Sequence, residues 1–432
     1  MHKRQSSFVA ALLASSIGLT SCGVGHLRNV SLRPDGESAS PPALSEFEGD
    51  AEARTSDDWE TRRAPLLRAA FAREFYGRTP DEFETIVDKT RILDDELYDG
   101  LGVLEYNRLI IRTRFGTGEW HEQPIRLVIA KPKSAIRPSP TVLKMDFCPL
   151  GQVFQSEALP DEGWVCGPSG FEPLNGFVWW TLGSYHIAPP IKELLSRGYA
   201  YASISVNDFV PDSRRHARER LETLSVGIDQ QEAWGSLAAW AFQFSRAIDH
   251  LDTDSDLDTQ RTAIYGHSRY GKSALIAGAF DSRIDAVIAH QSGRGGAALT
   301  RSDNGEPMED MTETFSTWLS PKYNDLVASG GGKDLPFDQH QLISLIAPRA
   351  VLLGHGRRDS WSDPHGAFRA AQGATPAYRL YGSEGLTAKK LNEFDPDADI
   401  SFWMRGGTHG ETKKDWSAFF EFLDAHFDTD AP

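Results

Sequence analysis

Gly266-His267-Ser268-Arg269-Tyr270-Gly271-Lys272-Ser273 lies between an apolar run, Thr262 to His267, and a segment of helical spacing, Gly271 to Phe280. Two readings compete for this strand–loop–helix stretch. Letter for letter it matches the phosphate loop G-x-x-x-x-G-K-[ST], whose backbone N–H groups cradle phosphates. Context opposes that reading: the stretch sits about two-thirds along the chain, and no apolar strand ending in a metal-binding Asp accompanies it. The second reading is a tight turn that exposes Ser268 at the carboxyl edge of a sheet. The next backbone N–H and the helix N-terminus then face a developing oxyanion. The spacing is Gly-x-Ser-x-x-Gly, one residue longer than the usual Gly-x-Ser-x-Gly.

Chain order favours the serine reading. Gly356-Arg357-Arg358-Asp359 follows an apolar run at Ala350 to Gly354, and Gly406-Gly407-Thr408-His409-Gly410 follows another at Ile400 to Met404. Serine, then acid, then histidine, each at a strand end, is the order of an α/β-hydrolase. A serine hydroxyl is a weak nucleophile, so His409 is expected to take its proton and Asp359 to orient the imidazole. Asp363 is a rival acid four residues on; Asp359 is preferred because it lies closer to the strand end.

The surrounding pattern agrees. Short apolar runs at Thr141 to Phe147, Tyr199 to Val206 and Ala286 to His290 suit buried parallel strands. Helical spacing recurs at Arg63–Tyr76, Pro190–Arg197, Glu232–Leu251, Asp338–Ile346 and Lys413–Phe427. Alternation of this kind predicts an α/β fold with a mostly parallel sheet flanked by helices. Residues 57–432 read as one such domain, with loop insertions at 148–189 and 294–337 forming the substrate surface.

Composition narrows the function. With 40% hydrophobic and 25% charged residues, the chain has the make-up of a folded globular protein. A net charge of -16 argues against a broad nucleic-acid face, which needs clustered cations. No group of His, Cys and acids has metal-ligand spacing, so neither metal nor cofactor is expected. His267, His290 and His340 read as packing or hydrogen-bonding residues.

The N-terminus reads as an export signal. Lys3 and Arg4 precede an apolar stretch, Phe8 to Leu19, that is too short to span a bilayer. It ends in Leu19-Thr20-Ser21-Cys22, which resembles the lipobox of bacterial lipoproteins. Residues 1–21 are therefore expected to be cleaved and Cys22 to carry lipid, with 22–56 a flexible tether. The expected place is the bacterial cell envelope, at the outer membrane or in the periplasm, as a monomer. In that oxidising compartment Cys148 and Cys166 are candidates for a disulfide.

The elbow with Gln291-Ser292-Gly293-Arg294-Gly295-Gly296, Leu335 to Arg349 and Asp359-Ser360-Trp361-Ser362-Asp363-Pro364 resembles the glucuronoyl esterases, carbohydrate esterase family 15, in their bacterial branch. The resemblance runs from about Asp58 to Phe427. It implies an α/β-hydrolase that cleaves esters between (4-O-methyl-)glucuronic acid on xylan and alcohols of lignin. It matches Ser268 to the nucleophile, His409 to the catalytic histidine and Arg269 to an oxyanion-stabilising arginine. Lys272, Glu306 and Trp361 match residues that hold the sugar. Many members carry the acid as Glu where this chain has Gln291, which again points to Asp359. His267 stands where fungal members have Cys, and Thr317-Trp318 where bacterial members often have His-Trp. An acetyl-xylan or other carbohydrate esterase with the same machinery is the alternative activity. A non-catalytic carbohydrate-binding lipoprotein is the alternative of another class.

Overall fold

The computed structural model describes residues 29–33, 53–133, 138–164, 166 and 183–427. The expected signal peptide, Cys22 and most of the expected tether lie outside the described residues.

One nine-stranded sheet holds β1 (Glu82–Glu96), β2 (Gly102–Arg114), β3 (His121–Pro132), β4 (Ser139–Asp146), β5 (Ala200–Ser205), β6 (Leu257–His267), β7 (Ala286–His290), β8 (Ala350–Gly356) and β9 (Ile400–Arg405). Their order is β1-β2-β3-β5-β4-β6-β7-β8-β9. The β1–β2, β2–β3 and β3–β5 pairs are antiparallel. From β5 onward every pair is parallel. The fold is that of the α/β-hydrolases.

Successive residues of the parallel strands are buried against different layers, which is why these runs are apolar without alternation. Leu143, Ile264, Val287 and Leu353 pack with helices α1 (Ser236–Leu251), α2 (Arg269–Phe280) and α3 (Pro364–Arg379). Their neighbours Val142, Ala263, Ile288 and Leu352 pack with Trp416, Phe419 and Phe420 of helix α4 (Lys413–Phe427).

Three differences from the sequence reading have physical reasons. Strand β1 was not anticipated because most of it faces water: Phe83, Ile86, Val87 and Ile92 are exposed among charged neighbours. Its ladder to β2 is flanked by the ion pairs Glu82–Arg114, Glu84–Arg112 and Asp88–Arg108. Helix α3 hides behind Gly366, Gly373 and Pro376, poor helix formers, and is held by burial of Phe368, Ala370, Ala371 and Tyr378. Residues 29–33, expected to belong to a free tether, lie on the domain. Val30 and Leu32 pack against the core, and the Val30 N–H donates to the Arg357 carbonyl at 2.8 Å.

The 294–337 insertion contributes Met308, Met311, Trp318, Leu319 and Tyr323 to the main core. Much of 148–189 lies outside the described residues; Cys148 and Cys166 are joined by a disulfide with Cα atoms 5.4 Å apart.

Candidate active site

Ser268 sits between β6 and α2 with φ 57° and ψ -124°. A serine pays no such strain unless its surroundings impose it, about 1–3 kcal/mol. Here the Ser268 N–H donates to the His290 carbonyl at 2.8 Å, and its carbonyl accepts from the Gly271 N–H at 3.0 Å. A Cβ on Gly266 would come within 2.1 Å of the Tyr270 carbonyl oxygen, and one on Gly271 within 2.9 Å of the Gly266 oxygen. The two glycines thus close the turn on each other, which accounts for the longer spacing. Tyr270, where the usual signature has Gly, is buried, with its hydroxyl 3.2 Å from Asp212.

His409 Nδ1 lies 2.8 Å from Asp359 Oδ2. Asp359 is buried just beyond the end of β8, whereas the His409 side chain keeps 29% exposure. Burial alone would raise the Asp359 carboxyl, but the charge and hydrogen bond of His409 and the Ser362 hydroxyl hold it below the ordinary carboxylate value. The ring of His409 is 4.7 Å from that of His267, the residue before Ser268. Asp363 points elsewhere. It caps α3, accepting from the Gly366 N–H at 2.9 Å, and burial holds its carboxyl above the ordinary value.

The His409 loop is held by its backbone. Gln291 Nε2 donates to the Thr408 carbonyl at 3.0 Å, and Gln291 Oε1 accepts from the Gly410 N–H at 2.7 Å. Arg405 donates to the Thr408 and Gly410 carbonyls at 2.9 and 2.6 Å while paired with Asp415. His290 is fully buried with Nε2 3.0 Å from the Gly410 carbonyl.

Arg269 is fixed from two directions. One guanidinium nitrogen lies 3.0 Å from both oxygens of Asp212, and the group sits 5.0 and 4.7 Å from the rings of Phe315 and Trp318. Those two rings stack 3.9 Å apart, and a cavity of about 140 Å³ opens beside them. Lys272 is buried with its ammonium on the Ser292 and Arg294 carbonyls, the latter at 2.6 Å. Burial pulls its pKa down to about 8, against the pull of Glu306. Burial likewise raises the half-buried Glu306 carboxyl, opposed by the charges of Lys272, Arg269 and His409. The Glu306 N–H donates to the Trp361 carbonyl at 3.0 Å, which ties the two loops together. Trp361 is half-buried, not a core residue.

Sequence reasoning missed several of these residues. Asp212 follows the β5 segment without a motif. In the sequence Gln291 stands out only as a neutral residue where relatives carry an acid, yet its amide braces the His409 loop. Glu411 gave no sign beyond its place two residues after His409. Its carboxylate converges with His186 and His267, one ligand atom of each within 4.8 Å of the others. The sequence keeps these three far apart, so spacing alone did not suggest a cluster.

The family model described as glucuronyl esterase, fungi, matches residues 192–382. A carbohydrate esterase, MZ0003, from an unknown prokaryotic organism is 32% identical over 380 residues, covering 86% of each chain. Among solved structures, a promiscuous CE15 esterase from a marine bacterial metagenome is 30% identical with a TM-score of 0.75, over 90% of this chain and 98% of that one. A glucuronoyl esterase from Solibacter usitatus is 26% identical with a TM-score of 0.73, over 90% and 98%.

Proposed function

This chain belongs to carbohydrate esterase family 15, the glucuronoyl esterases, and from that premise we propose that it hydrolyses uronate esters by a Ser268–His409–Asp359 mechanism. It is a carboxylic ester hydrolase of glucuronic acid esters. The observation that carries the proposed mechanism is the 2.8 Å contact of His409 with buried Asp359, on a loop beside the strained Ser268 turn. His409 takes the Ser268 proton as Oγ attacks the ester carbonyl, then returns it to the departing alcohol. Water, activated by the same imidazole, releases the uronate from Ser268. Asp359 keeps the imidazole in the tautomer that accepts at Nε2 and stabilises its cation. Arg269, its guanidinium held by Asp212, supplies positive charge to the oxyanion. Lys272, Glu306 and Trp361 hold the sugar, and the substrate is the ester linking glucuronoxylan to lignin alcohols.

Hydrolysis of benzyl glucuronate, compared with an acetylated xylose, tests this reading. Glucuronate release is expected in the parent and should vanish in Ser268→Ala with folding retained. Parent-rate turnover by that variant would overturn the triad. Acetate release alone would move the activity to the second reading, a broader carbohydrate esterase, which the solved neighbour described as promiscuous favours. The same proposal anchors the enzyme in a bacterial envelope through lipid on Cys22. Incorporation of labelled palmitate, abolished in Cys22→Ala, checks it.

A further inference from the structure

We propose that His186, His267 and Glu411 form a binding site for a divalent first-row metal ion, zinc by preference, buried beside the Ser268 turn. Gln291 fixes the protonation of the nearest ring nitrogen. Its amide orientation is fixed twice, because Nε2 meets the Thr408 carbonyl and Oε1 meets the Gly410 N–H. Oε1 is therefore an acceptor, and it also lies 3.1 Å from His267 Nε2. That nitrogen must carry the proton, which leaves His267 Nδ1 with a bare lone pair. This lone pair faces Glu411 Oε1 at 3.9 Å, a second acceptor. His186 Nδ1 lies 3.4 Å from the same oxygen. None of these three atoms completes a hydrogen bond. His267 Nδ1 and Glu411 Oε1 are thus acceptors turned toward one another in a buried space, an arrangement that calls for a cation or a donor between them, and His186 Nδ1 is the further nitrogen that reaches the same oxygen.

Charge points the same way. Fully buried Lys144 faces two fully buried carboxylates, Asp146 at 2.9 Å and Glu411 at 3.1 Å. Lys144 engages Glu411 Oε2, so Oε1 remains for another partner. One negative charge is left over in the enclosure, and a bound cation would balance it. Two imidazoles and one carboxylate are the donor set of many zinc sites, with N···O separations across a tetrahedral ion of about 3.4 Å. A histidine ligand whose other nitrogen donates to a carbonyl is the usual supporting arrangement, and Gln291 provides it for His267. His186, with 11% of its side chain exposed, is the side from which an ion would enter.

The test reads metal and not turnover, so it stands apart from the esterase mechanism. The full chain, free of a histidine tag and stripped with chelator, is titrated with Zn²⁺ by calorimetry, and Co²⁺ absorption is recorded in parallel. One ion per chain is expected, with a tetrahedral Co²⁺ spectrum and a raised melting midpoint. His186→Ala spares the Lys144 contacts and should weaken binding about a hundredfold while leaving the metal-free midpoint in place. Absence of stoichiometric binding in the parent, or equal binding in His186→Ala, would overturn the site. Octahedral Co²⁺ held only by surface groups would overturn it too.

Discussion

Neighbouring strands β7 and β8 both end on the His409 loop, with different chemistry. At the end of β7, Gln291 is neutral, and its side chain bonds the loop's backbone and His267. Beyond the end of β8, Asp359 is charged and bonds the imidazole itself. The loop's shape and the ring's protonation are therefore set by separate residues. A chain with the acid at the β7 end would load both tasks onto one side chain. With Asp359 as the proposed acid, the charge stands one strand along and Gln291 serves as a brace. The brace is strained: Gln291 has φ 52°, near the 57° of Ser268. Strain at both positions marks a loop cluster fixed by its surroundings and not by local preference.

This contrast can be broken in stages. The largest effect should come from Asp359→Asn, which keeps the shape and removes the charge. A kcat loss of about ten-thousandfold is expected, as for other triads whose acid is neutralised. A loss below tenfold in steady-state assays would mean that β8 does not supply the acid. Next is Gln291→Glu, which puts a carboxylate oxygen against the Thr408 carbonyl in place of a donor. Urea unfolding should show a loss of about 1–3 kcal/mol. Combined with Asp359→Ala, the same change should recover about tenfold of the lost rate, a coupling that a double-mutant cycle measures. No recovery would mean that the β7 end cannot reach the ring. Asp363→Ala comes third: loss of the α3 cap should lower stability by about 1 kcal/mol with kcat within twofold. A collapse of kcat would restore Asp363 as a candidate acid.

The smallest effect is on pH dependence. Asp359 has a folded pKa below its unfolded one, so its contribution is present above the unfolded value and fades as pH falls through the folded one. Denaturation curves for the parent and Asp359→Asn should begin to converge below about pH 4 and meet only once the pH has fallen through the lower folded value. Those for Gln291→Ala and the parent should stay parallel, because that residue carries no proton to lose.

The same division explains what the sequence made legible. Ser268, Asp359 and His409 could be read because each follows an apolar run on a strand end, and sequence order alone arranges them. The parallel strands could be read because burial on two faces leaves uninterrupted apolar runs. Asp212, the brace of Gln291 and the convergence of His186 with Glu411 could not. Each acts through a backbone group or a partner remote in sequence, and neither leaves a periodic trace. Strand β1 escaped for the opposite reason: it is held by a ladder and surface ion pairs, so its side chains carry little pattern of burial.

The φ of Ser268 has a consequence for descent. A glycine would occupy that backbone conformation with ease, so the serine persists there at a stability cost of about 1–3 kcal/mol. Folding alone therefore favours losing the hydroxyl, and the chemistry proposed for Ser268 opposes that drift. In any lineage where ester cleavage ceased to matter, glycine at this turn is the replacement folding would reward first. Such a chain should be more heat-resistant than its active ancestor, with an otherwise unaltered cleft as the record of an abandoned reaction.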